Sequence, residues 1–194
     1  MIPVVIAICG PAASGKDYLA RYLSSCPLGI TNIVSDTTRP PREGEIDKVD
    51  YNFISDDDFI AGINHDKYLE WTRFRGWYYG TPASSICGKI NVGVFNLDGI
   101  AVLYREQKMG NMIVLPIYLK IHFWTRIKRY VQREGKFSFE LLRRMFYDWL
   151  DLDNIDTWIQ LFPQYIVVKN FYNTQDCGRV AQDIVSKYLK EYYQ

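Results

Sequence analysis

The amino-acid sequence predicts an α/β fold with a parallel core sheet, and three features of the chain carry that expectation. Residues 3–9 (PVVIAIC) are a continuous apolar, β-branched run that ends at Gly10 and leads through a glycine loop into a helical pattern. Such a run suits a strand buried on both faces, and strand, loop, helix is the first half of a βαβ unit. From residue 92 onward, apolar strand-like runs alternate again with helical stretches, the order that builds a parallel sheet. Between the two, residues 35–81 read as a small antiparallel insertion.

The chain has 194 residues, enough for one compact unit with room for that insertion. Hydrophobic residues at 48% exclude a disordered class and supply a packed core. Lysine and arginine number 23 against 22 acids, a net charge of +1, which argues against coating nucleic acid or a membrane surface, so any phosphate site must be local. Cys9, Cys26, Cys87 and Cys177 are too scattered for a zinc site or a disulfide framework, so reduced, mostly buried thiols are expected. The N-terminal apolar run has no basic flank and falls far short of the roughly 18–20 residues of a membrane span. A cytoplasmic protein without membrane or nucleic-acid partners is expected.

The elements follow in order. In the first helix Leu19, Ala20 and Leu23 recur at helical spacing. Residues 35–58 hold eight acids against Arg39, Arg42 and Lys48, and enclose a short aromatic strand at 51–54. Asp56, Asp57 and Asp58 precede an apolar helical stretch, where acids serve the positive helix end rather than a metal. Residues 68–81 read as two strands with a turn at Gly76, Leu69 and Trp71 pointing to a buried face and Glu70 to the opposite one. A strand over 92–97, read as the central one, a helix from about 99 to 108 and a strand over 113–119 come next. Residues 120–146 turn basic, eight positive against two negative, and 165–168 form a last strand. Val180, Ile184, Tyr188 and Tyr192 recur every fourth residue as the packing stripe of a C-terminal amphipathic helix. His65 and His122 have no partners at catalytic spacing and are read as structural.

Gly10-Pro-Ala-Ala-Ser-Gly15-Lys16 matches G-x-x-x-x-G-K in the required context, between a buried strand and a helix. Glycines let successive backbone N–H groups line one concavity, the helix adds its positive end, and Lys16 reaches the β and γ phosphates of a nucleotide. The Ser or Thr that usually follows, a magnesium ligand, is Asp17 here. Either a metal sits directly on this hard-oxygen carboxylate or the side chain turns away and caps the helix.

A second anion site is legible at Arg39-Pro-Pro-Arg42. The prolines hold an extended, three-residues-per-turn geometry, so both guanidinium groups project from one side. Two such forks suit a single phosphate. The stretch from Ser35 to Glu45, with Asp50-Tyr51-Asn-Phe53, Leu69-Glu70-Trp71, residues 76–81 and Val167-Val-Lys-Asn170, resembles the guanylate kinase family over essentially the whole chain.

That resemblance implies a P-loop parallel-sheet core (residues 1–34 and 82–194) with a helical lid at about 123–146 and a nucleoside-monophosphate-binding insertion at 35–81. It implies transfer of the γ-phosphate of ATP to GMP, and to dGMP, with Mg²⁺. ATP is expected against Gly10, Ala12, Ala13, Ser14, Gly15, Lys16, Asp17, Tyr18 and Asn170, with Asp17 the candidate metal ligand. The acceptor phosphate falls to Arg39, Arg42, Tyr51 and Tyr79. Glu70 and Ser35, assisted by Thr81, correspond to the guanine pocket: a carboxylate matches guanine's N1–H and N2 amine and rejects adenine. Asp98 is left as a guanine contact, a holder of metal-bound water or a helix cap, and Asn96 places metal binding at that strand end in doubt. Arg129 and Arg133 share a helix face, and with Arg144 they resemble the family's mobile lid, where cations stabilise a migrating phosphoryl group. The alternatives are a non-catalytic binding module related to the family, or a kinase for another nucleoside monophosphate. A monomer or homodimer is expected.

Overall fold

In a computed structural model of the chain, the described residues are 2–74, 76–134, 143, 166–169 and 174–193. A five-stranded parallel sheet forms the core, in the order β2 (Ile30–Asn32), β7 (Ile90–Val94), β1 (Val4–Cys9), β8 (Ile113–Lys120), β9 (Ile166–Lys169). The β-branched N-terminal run is therefore the central strand, buried at every position. Its side chains alternate between two apolar layers. Val4, Ile6 and Ile8 pack with Leu19, Ala20 and Leu23 of α1 (Lys16–Ser25) and with Cys177, Ala181, Val185 and Leu189 of the C-terminal helix α5 (Thr174–Tyr193). Val5, Ala7 and Cys9 pack with Ile100, Leu103 and Tyr104 of α3 (Leu97–Lys108).

The second sheet runs β4 (Asn52–Phe53), β3 (Asp36–Thr37), β6 (Trp77–Pro82), β5 (Tyr68–Phe74). It is antiparallel except for the two-residue β3–β4 pair, which is parallel. Its interior stacks Phe59 of α2 (Asp56–Asn64) between Tyr68 and Tyr78, at centroid distances of 4.4 and 5.1 Å. Beneath it the nearly inaccessible Asp36 carboxylate accepts from Asn52, Lys67 and Tyr68. That satisfies a charge which would otherwise be costly to bury. The three aspartates 56–58 fill the first turn of α2, and Ser55 supplies the cap by accepting from the Asp58 N–H. Helix α4 (Phe123–Glu134) follows β8. No helix among the described residues is long and apolar enough to cross a membrane.

Several expectations need correction. Trp71 lies on the same face of the small sheet as Tyr78, their rings 6.2 Å apart, yet is 48% exposed rather than buried, Phe59 stacking on Tyr68 and Tyr78 instead. The strand expected over 92–97 ends at Val94, and Leu97 instead opens α3 behind an Asn96 cap. It lies beside the central strand rather than at the centre. Val180 is exposed, since the buried stripe of α5 runs one residue over, through Cys177, Ala181, Val185 and Leu189. Of the cysteines only Cys9 and Cys177 are buried, Cys87 being exposed. No pattern in residues 30–32 announces β2, three residues at the sheet edge. Tyr165 lies outside the described residues.

Candidate functional site

Where β1 ends, the loop of residues 10–15 turns the chain into α1. Gly10 adopts φ 146°, and a Cβ there would stand 2.7 Å from the Leu119 carbonyl oxygen, so the loop is pressed against β8 where only glycine fits. Ala13 (φ 61°) and Gly15 (φ 95°) are left-handed, the kind of backbone that gathers amides into an anion-binding concavity. Gly15 is the N-cap of α1 and has no side chain to cap it, leaving the helix end for a ligand. Lys16 folds over the loop, its Nζ donating to the carbonyls of Gly10 (2.8 Å) and Pro11 (3.0 Å). Asp17 is exposed in the first turn of α1 and Gly15 takes the cap position, so of its two sequence readings the capping one falls away. Tyr18 is exposed, its ring 6.3 Å from Tyr22.

Across a cleft lined by Asp17, Arg21, Ser35, Glu45, Asp50 and Tyr51 stands the arginine pair. Arg39 and Arg42 do converge, on the carboxylate of Glu45. Arg39 Nη2 lies 2.9 Å and Arg42 Nη1 3.8 Å from Glu45 Oε1, while the Arg42 N–H donates to Oε2 at 2.7 Å. Arg39 is 7% exposed, its guanidinium 5.5 Å from the Tyr51 ring and 5.7 Å from the Phe53 ring. Its Nη1 donates to the Pro40 carbonyl, and its buried Nε has no hydrogen-bond partner among the described residues. An orphaned buried guanidinium donor is costly, and it is a ready contact for an anion. Tyr51 and Tyr79 lie side by side, ring centroids 6.3 Å apart. Burial, then the Asp17 carboxylate, raises the pKa of the Tyr51 phenol, which stays a neutral donor.

Glu70, Thr81 and Ser35 form one chain. Thr81 Oγ1 donates to Glu70 Oε1 at 2.6 Å and lies 3.2 Å from Ser35 Oγ. The β5–β6 register sets Glu70 opposite Thr81. Burial pushes the Glu70 pKa up against the lowering effect of the Thr81 bonds, and the nearby Asp98 carboxylate pushes the same way. Asp98 lies in the first turn of α3, whose cap is Asn96, accepting from the Gly99 N–H at 2.7 Å. The cap reading of Asp98 therefore passes to Asn96. An added Cβ on Gly99 would lie 3.3 Å from Glu70 Oε2, which brings the helix start against the carboxylate.

Helix α4 brings Arg129 to the loop, its Nη1 donating to the Ser14 carbonyl at 3.3 Å. Burial lowers the Arg129 pKa. Arg144, Asn170 and the side chain of Arg133 lie outside the described residues. Sequence reasoning missed two groups here. Glu45 was visible only as part of a motif, although its place three residues after Arg42 was the signal. Arg126 was counted only in the basic run, although it stands three residues before Arg129 and so on the same helix face.

The sequence model of the family described as guanylate kinase matches residues 2–140. The guanylate kinase of Lawsonia intracellularis is 33% identical over 179 residues, 84% of each chain. That of Maricaulis maris is 40% identical over 98 residues, 49% of this chain, and the aligned stretch spans 45% of the relative's own length. Among solved structures, the guanylate kinase of Anaplasma phagocytophilum superposes with a TM-score of 0.68 at 17% identity, covering 96% of this chain and 86% of the other. A gluconokinase from Sinorhizobium meliloti superposes with a TM-score of 0.51 at 15% identity, covering 99% and 97%. At such identities these two speak for the fold alone.

Proposed function

The chain belongs to the guanylate kinase family, and on that premise we propose that it transfers the γ-phosphoryl group of ATP to GMP, and to dGMP, giving ADP and the nucleoside diphosphate. The observation that carries this reading is the Ser35–Thr81–Glu70 chain, a half-buried carboxylate with an ordered hydroxyl relay. Guanine offers N1–H and its N2 amine to Glu70, and its O6 accepts from Ser35. Adenine would set a ring acceptor against the carboxylate, leaving a buried charge unpaired.

Residues 35–81 would then be the acceptor-binding insertion, with the core on either side. Lys16 and the loop amides hold the donor's β and γ phosphates. Arg39, through its orphaned Nε, together with Arg42, Tyr51 and Tyr79, holds the acceptor phosphate. An acceptor phosphate oxygen attacks the γ phosphorus, the bond to the β–γ bridging oxygen breaks, and ADP leaves with that electron pair. No side chain need form a covalent bond: positioning and charge stabilisation suffice. Arg129, Arg133 and Arg144 are assigned to the charge that spreads over the migrating group, and Asn170 to the donor base side.

Magnesium typically takes one or two carboxylates plus phosphate oxygens and water. The exposed Asp17 carboxylate at the mouth of the loop fits that donor set, and the ion would supply charge neutralisation to the phosphates. Asp98, beside Glu70, is assigned to the guanine side rather than to metal.

A coupled ADP-release assay with GMP, dGMP, AMP, UMP and CMP under saturating Mg·ATP tests the reading. Turnover is expected with GMP and dGMP. Preference for another monophosphate would transfer the activity to that acceptor, and ATP binding without turnover on any acceptor would mark a non-catalytic binding domain.

A further inference from the structure

Arg126 is, among the described residues, the most buried charged side chain of α4, 7% exposed, and it points at the phosphate-binding loop rather than at solvent. Its Nε donates to the Ala12 carbonyl at 3.1 Å, while Arg129, three residues on, donates to the Ser14 carbonyl at 3.3 Å. The residue between these two carbonyls is Ala13, an L-residue held at φ 61°. Left-handed backbone is disfavoured for a residue with a Cβ and persists where its surroundings over-determine it. Two guanidinium groups from one helix, fastened to the carbonyls on either side, are such surroundings.

We infer that Arg126 is a positioning residue of the donor site, fixing the Ala12–Ser14 backbone in its phosphate-receiving form. The assignment rests on the donor loop and on the functional reading above only in naming ATP as the ligand. Charge points the same way. Asp17 puts a carboxylate at the position of the motif's hydroxyl, against the anionic ligand, and the guanidinium of Arg126 brings a buried positive charge to the same loop. A planar guanidinium with a fixed Nε–H suits a single carbonyl better than a flexible ammonium. Arg126 acts through the loop and need not touch the transferring group.

The test is calorimetric binding of Mg·ATP and, separately, of GMP to wild type, Arg126→Met and Arg126→Lys, each checked by thermal melting. Loss of a charge-assisted hydrogen bond predicts an ATP affinity about tenfold weaker in Arg126→Met, GMP affinity unchanged, and an intermediate ATP affinity in Arg126→Lys. An unchanged ATP affinity overturns the inference. So does a parallel loss of ATP and GMP affinity, which marks a residue that only holds the fold together. Where Arg126→Met does not fold, Arg126→Lys decides on the same criterion. Wild-type protein that binds ATP but fails to phosphorylate GMP would defeat the proposed reaction and leave this test intact.

Discussion

Glu70 is a carboxylate held in conflict: burial raises its pKa, while the Thr81 hydroxyl, 2.6 Å away, favours its charge. Only the ionised form accepts both guanine donors. Because the pKa is raised, the charge is lost at a higher pH than in an exposed glutamate, so GMP affinity is expected to fall on acidification well before ordinary carboxylates titrate. KM for GMP followed against pH checks this, and Glu70→Gln should flatten that dependence. The same variant should lower kcat/KM for GMP by about 10- to 100-fold, the size of a lost bidentate base contact, while ATP binding measured by calorimetry stays as in wild type. At this scale the sequence was informative wherever function restricts residue type. Of the candidate site residues, Asp17, Ser35 and Tyr51 line one cleft, with Arg39 against Tyr51 and with Thr81 and Glu70 joined to Ser35. Glu45 and Arg126 were not legible, because a carboxylate between arginines and an arginine in a basic run look the same in sequence as solvated charges.

The elements place these groups through close approaches. The loop after β1 reaches its conformation only because Gly10 lets the backbone lie against Leu119, where a Cβ would meet the carbonyl oxygen at 2.7 Å. Gly10→Ala is expected to displace the loop, lower the melting temperature by the equivalent of about 1–3 kcal/mol of strain, and weaken ATP binding at least as much as GMP binding. Calorimetry with each nucleotide and a thermal melt read the two effects. Periodicity located β1, α1, α3 and β8 because their apolar patterns are long and regular. It failed at short pieces such as β2, and at how deeply β5 is buried. Trp71 shares the face of Tyr78, its ring 6.2 Å away, but the helix covers that face by stacking Phe59 on Tyr68 and Tyr78 and leaves Trp71 half exposed. Alternation gives the face of a strand without saying how much of it a helix will cover.

For the whole molecule, the +1 net charge masks a division of labour. A basic helix lies over the donor loop, and an acidic insertion holds an arginine pair of which Arg39 is buried and Arg42 exposed. The insertion faces α1 across a cleft and is tied to it by the Arg21–Asp50 ion pair at 2.9 Å. The parallel order of the core was legible because buried parallel strands read as unbroken apolar runs. How the insertion sits against α1 was not, since it depends on contacts such as this ion pair between distant stretches. The central claim is that donor and acceptor phosphates occupy one cleft at the same time. Calorimetry with a single molecule in which adenosine and guanosine are joined through a polyphosphate chain tests it most directly. One molecule per chain, bound far more tightly than ATP or GMP alone because the second contact becomes intramolecular, is the predicted result. Affinity no better than that of ATP would contradict the account.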